Sequence, residues 1–99
     1  MTLTEFKAQI SARPLPPPEL SAPLRALWLC RAGRWQEAHA VAQEIDTSLG
    51  SWIHGLLHEI EGDQSNADYW YARAGRRNDP RHGIDEEWER IALAVLAET

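Results

Sequence analysis

The chain carries a diverged copy of itself. Gly33-Arg34-Trp35-Gln36-Glu37-Ala38 and Gly62-Asp63-Gln64-Ser65-Asn66-Ala67 share one frame, Gly followed by four residues and Ala, at a separation of 29. The same offset lays Leu24, Leu27 and Trp28 over Ile53, Leu56 and Leu57, and Val41 and Ala42 over Trp70 and Tyr71. An internal repeat of this length with a central glycine is the mark of stacked helical hairpins. It constrains architecture and says nothing of chemistry.

Periodicity fills in the elements. Thr2 and Glu5 have the spacing of a capping box, which predicts a short helix to about Ser11 with Phe6 and Ile10 on one face. Pro14, Pro16, Pro17 and Pro18 forbid helix and predict an extended strap, either laid across the helices or mobile. A second helix, capped by Ser21, carries Leu24, Leu27 and Trp28 inward and stops at Gly33. A third runs from about Trp35 to Ile45, with Trp35, Ala38, Val41, Ala42 and Ile45 inward. After a turn over 46–50, Ser51 is expected to cap a fourth helix, Trp52 to Glu61, whose stripe is Ile53, Leu56, Leu57 and Ile60. A fifth spans about Ser65 to Ala74 and ends at Gly75, with Ala67, Trp70, Tyr71 and Ala74 inward. The last starts near Asp85, with Ile84, Trp88, Ile91 and Val95 as its stripe and Asp85, Glu86 and Glu87 at its positive end. No stretch alternates as a strand does. The reading is one all-α domain over 1–99, two helical hairpins with flanking N- and C-terminal helices that cap the stack, residues 1–20 forming the first helix and the strap.

A chain of 99 residues buries only about two thirds of its unfolded surface, so its five tryptophans are expected to anchor helix packing. The net charge of −5 argues against nucleic acid and anionic membranes as partners. There is no signal-peptide pattern and no apolar run of membrane-spanning length, which predicts a cytoplasmic protein. The single cysteine, Cys30, can form neither an internal disulfide nor a structural zinc site, and its apolar neighbours Leu27, Trp28 and Leu29 predict a buried, inert thiol.

The segment Leu27-Trp28-Leu29-Cys30-Arg31-Ala32-Gly33-Arg34-Trp35-Gln36-Glu37-Ala38 resembles the first helix, turn and second-helix start of a tetratricopeptide repeat, and Asn66-Ala67-Asp68-Tyr69-Trp70-Tyr71-Ala72-Arg73-Ala74 resembles the second helix of the short Sel-type form. The period of 29 is shorter than that family's usual 34. Residues 52–76 also resemble a run found in small uncharacterised bacterial and fungal proteins, a family that brings no activity with it. The resemblance implies a helical-repeat fold and an interaction surface.

One constellation carries chemistry. His54, His58 and Glu61 are spaced i, i+4, i+7, a single stripe on a helix. It lies roughly 115° from the centre of that helix's apolar face, on a flank. Two imidazoles and a carboxylate are a donor set for zinc or non-haem iron with open positions, and Asp63, or a residue from an adjoining helix, could add a ligand. The Glu that follows the first His of a zincin is missing, since Gly55 stands there. The plain alternative is a hydrogen-bonded seam against the fifth helix, with Tyr69, Asp68 or Asn66 as partners. Arg73, Arg76, Arg77 and Arg81 form a local basic cluster suited to an anion, or simply to the end of the fifth helix. Trp52, Tyr69 and Trp70 could stack on a ligand, though such spacing is more often core. His39 and His82 have no role in this reading. No nucleophile motif or phosphate loop is present, so no catalytic residue and no cofactor is assigned. The expected function is a protein- or peptide-interaction module, self-association into a homodimer included, using Trp52, Asn66, Tyr69, Arg73 and Arg76. The alternative is a small metal- or ligand-binding protein, its divalent ion held by His54, His58 and Glu61.

Overall fold

A computed structural model describes residues 1–77 and 82–98. It holds six helices, α1 (Leu3–Ala12), α2 (Ala22–Arg31), α3 (Trp35–Gln43), α4 (Ser48–Ile60), α5 (Gln64–Arg73) and α6 (Ile84–Ala97), and no strand among the described residues. The all-α class is as the periodicity requires.

Two of the glycine stops share one backbone geometry. α2 and α4 end on the same device. Gly33 (φ 80°) and Gly62 (φ 85°) enter the left-handed region. The amides of Arg34 and Asp63 return to the carbonyls of Leu29 and His58, both at 2.9 Å. Gly33 and Gly62 themselves donate to Cys30 and Glu59. This is the Schellman closure, open to glycine because it has no Cβ. The next residue then caps the following helix in matching conformations, Arg34 at φ −100°, ψ 68° and Asp63 at φ −94°, ψ 80°. Three-residue links of one geometry therefore fold α3 back on α2 and α5 back on α4, and these pairs make the most extensive helix–helix contacts in the molecule.

Burial repeats as well. Leu24, Leu27, Trp28, Ala38 and Ala42 are buried, and so are their counterparts Ile53, Leu56, Leu57, Ala67 and Tyr71. Val41 and Trp70 are both half-buried. The pairs diverge where Ala26 and Ala42 are replaced by Gly55 and Tyr71. A Cβ on Gly55 would lie 2.8 Å from the Tyr71 ring, so the missing methyl makes room for the tyrosine, whose hydroxyl donates to Glu59 Oε1 at 2.6 Å.

The flanking helices depart from expectation. α6 packs against both α2 and α4, and α1 packs on α6. In an open stack a terminal helix meets only the last repeat. Here α6 lies along both pairs and closes them into one core. Trp88 anchors this arrangement. It stacks on Phe6 of α1 (5.8 Å, 7°), donates its indole N–H to the Leu27 carbonyl at 2.9 Å, and sits under the Arg31 guanidinium at 4.6 Å. The strap between α1 and α2 is held too. Pro17 is buried, and the Trp28 indole donates to Arg13 O at 3.3 Å.

Other details are corrected. The Thr2–Glu5 capping box forms, but Ser21 makes no side-chain cap bond. α4 starts at Ser48 rather than after Ser51, with Thr47 at its N-cap. Gly50 made 46–50 read as a turn; it is a helical residue whose Cβ would sit 2.2 Å from the Ile45 carbonyl, so glycine is required for space. α3 stops two residues before Ile45. Ile60 and Ile84, assigned to the core, are exposed, because each sits at a helix end beyond its neighbours.

Candidate metal centre

α3 and α4 bring three imidazoles together. His54 and His58, one turn apart on α4, stack at 4.9 Å and 19°. His39 reaches across from α3 and meets both edge-on, at 4.5 Å from His54 and 5.3 Å from His58. A ring nitrogen from each of the three lies within 4.8 Å of the other two. His54 is 4% exposed and His58 9%; His39 is half-buried.

Two indoles bracket the trio. Trp35 stacks on His39 (4.8 Å, 11°) and donates its N–H to the Leu57 carbonyl at 2.6 Å, tying α3 to α4. Trp70 of α5 lies flat on His54 (3.8 Å, 8°). Residues Tyr69, Asp68 and Asn66 were the anticipated partners from α5; the ring on His54 is that of Trp70.

Burial pushes the His54 imidazole down to about 4, with the neighbouring His39 and His58 adding to the effect. His39 is lowered for the same reasons, burial first and then His58, against the pull of Glu61. Both rings are therefore neutral at pH 7, the form in which histidine binds a metal. Glu61 stands apart in role. Its Oε1 lies 2.6 Å from His58 Nδ1. An ionised carboxylate only accepts, so Nδ1 carries a proton, and Nε2 is the nitrogen that would face an ion. A carboxylate on the far nitrogen of a ligating histidine is the usual orienting partner in metal sites. Glu61 lies behind His58, and the third ring nitrogen beside His54 and His58 is that of His39, which the sequence reading left without a role. Donors of one tetrahedral zinc ion stand about 3.4 Å apart, so the three nitrogens, within 4.8 Å of one another, would have to draw closer to hold one. His58, Glu61 and Asp63 form a second, more exposed group of the same kind.

The anticipated binding residues do not form one surface. Trp52 is buried, its indole N–H donating to Glu87 Oε2 at 2.7 Å, with the Arg76 guanidinium 3.9 Å above the ring. Asn66 is engaged with Asp63 at the start of α5. Tyr69 and Arg73 are exposed neighbours of Trp70. Arg73 donates to the Tyr69 hydroxyl at 3.3 Å and lies 5.3 Å from the Trp70 ring. Of the arginine cluster, Arg81 lies outside the described residues. His82 approaches the buried Glu87 carboxylate at 3.5 Å. Cys30, expected to be buried, is half-buried, and desolvation pushes its thiol up to about 12, which keeps it protonated at pH 7. No helix among the described residues is long and apolar enough to cross a membrane.

No family model matches this chain, and comparison with curated proteins and with solved structures finds no match for it.

Proposed function

We propose that this protein binds a single divalent transition metal ion, of which zinc suits the donors best, through His39, His54 and His58, with Glu61 orienting His58. The observation that carries the reading is the convergence of three imidazoles from two helices. Two of them are neutral at pH 7, and the third is backed by a carboxylate. Imidazole suits zinc, copper, iron and nickel, and three histidines with an open fourth position are a known zinc arrangement.

Zinc titration followed by equilibrium dialysis tests it. Wild type is expected to retain one equivalent and to melt at higher temperature with the ion bound. His39→Ala and His54→Ala should each abolish retention. Glu61→Gln should weaken it by about 10–100-fold, the usual effect of losing an orienting partner. Retention below about a tenth of an equivalent by wild type, or equal retention by the His54→Ala variant, overturns the reading.

A second reading is a peptide-interaction surface, supported by the 53% exposure of Tyr69 beside Arg73. The matched hinges and matched burial of the two helix pairs support a tetratricopeptide-like relationship, for which partner binding is the ordinary use. Capture of the same partners by wild type and by a Tyr69→Ala/Arg73→Ala variant would remove it.

A further inference from the structure

The hinge beside the three imidazoles carries two carboxylates that its backbone does not call for. Glu61 is the C-cap of α4 and Asp63 the N-cap of α5, on either side of the left-handed Gly62. The hinge after α2 has the same geometry and closes with Ala32 and Arg34 in these places. Neither acid is therefore needed to turn the chain. Their setting differs too. Three residues before Glu61 stands His58, where the other hinge has Leu29.

Both acids adjoin the imidazoles. One donor atom from each of His58, Glu61 and Asp63 lies within 4.8 Å of the other two. Glu61 also acts electrostatically on His39, and Asp63 on His58. A carboxylate offers about four lone-pair positions. Glu61 spends one on His58 and Asp63 two on Asn66, so both keep acceptors for a cation. The Glu61 side chain is 39% exposed and Asp63 is half-buried, whereas His54 and His58 are buried. An ion arriving from water therefore meets the carboxylates before the two buried rings.

We infer that Glu61 and Asp63 form a capture station for a hydrated divalent cation, which they hold through oxygens and water and pass to His39, His54 and His58. This names how the proposed metal site is loaded, and it rests on that reading. His58 keeps its Nδ1 proton on Glu61 throughout, so the station uses carboxylate oxygens alone. The ion changes only its ligands, shedding water as the imidazoles replace it. Anionic groups at the entrance raise the local concentration of a cation and its rate of entry. A station on the route lowers a barrier that is crossed in both directions, so it quickens uptake and release alike and leaves the equilibrium little changed.

Stopped-flow mixing of metal-free protein with zinc, followed by tryptophan emission, and zinc release to excess chelator test the inference beside equilibrium dialysis. Asp63→Asn is the informative variant, because asparagine caps a helix as well as aspartate does and Glu61 also orients His58. Its uptake and release are each expected to slow by about fivefold or more, within the reach of electrostatic steering, with retention changed by less than about threefold. Asp68→Asn, which removes the same charge from an exposed position of α5, should load as wild type does. Wild-type loading by Asp63→Asn overturns the station and leaves the metal reading standing. So does a loss of affinity that comes from faster release, or an equal slowing in Asp68→Asn. A wild type that holds no zinc overturns the metal reading, and this inference falls with it.

Discussion

At the residue scale, His54 decides how the protein responds to acid. Its folded-state value near 4 lies below the ordinary value of about 6.5. Between the two the unfolded chain binds the extra proton, so stability rises with pH in that window. The contribution is complete above about pH 6.5 and is lost as pH falls towards 4. Its size is roughly 2 kcal/mol, allowing for solvent screening. Denaturant titrations at pH 7 and pH 4.5 should differ by that amount more in wild type than in His54→Phe. Equal pH dependence in both would show that the ring is not held neutral. The i, i+4, i+7 spacing placed His54, His58 and Glu61 on one stripe, and the fold keeps them adjacent. A contribution from an adjoining helix was allowed for, but His39 was not named, because periodicity within one helix does not say which residue of its neighbour faces it. The available signal was its i+4 spacing from Trp35, which put it on the half of α3 that faces α4.

At the element scale, glycine punctuation was the most readable part. Gly33, Gly62 and Gly75 were named as stops, and all three have positive φ. Arg76 returns to Tyr71 at 2.8 Å, as the same closure requires. A Cβ at any of them would meet nothing within 4 Å, so replacement by alanine tests backbone strain without a clash. Gly33→Ala and Gly62→Ala should each cost about 1–2 kcal/mol, and the asparagine variants less, by chemical denaturation. Gly55→Ala differs in kind. Overpacking against Tyr71 should cost about 1–3 kcal/mol, and Tyr71→Leu should restore part of that only in the Gly55→Ala background. The start of α4 was not legible, because Gly50 signals a turn to any local rule and only the approach of the Ile45 carbonyl explains its place in a helix.

At the scale of the whole molecule, the repeat predicted two pairs but not their closure. Nothing local to 84–97 shows that α6 will lie along both pairs. That follows from Trp88 meeting Phe6 and Leu27, residues 82 and 61 positions away. Trp52 shows the same limit. Its aromatic face reads as a binding surface until the Arg76 guanidinium is seen over the ring and Glu87 on its indole N–H. Closure makes a thermodynamic claim. Trp88→Ala should cost about 3–5 kcal/mol, a large share of the 5–15 kcal/mol that holds such a domain, and should abolish the cooperative thermal transition followed by far-UV circular dichroism. Loss of only the α6 signal, with the two pairs still melting together, would instead mark α6 as a detachable cap.

The face-to-face contact of Trp70 with His54 makes the molecule its own optical probe. An imidazolium or a metal-bound imidazole draws electron density from an excited indole in van der Waals contact, and a neutral ring does so far less. Emission from that one tryptophan, isolated by comparison with Trp70→Phe, should therefore dim whenever the ring beneath it acquires charge, so that protonation and ion uptake can be followed with no label added.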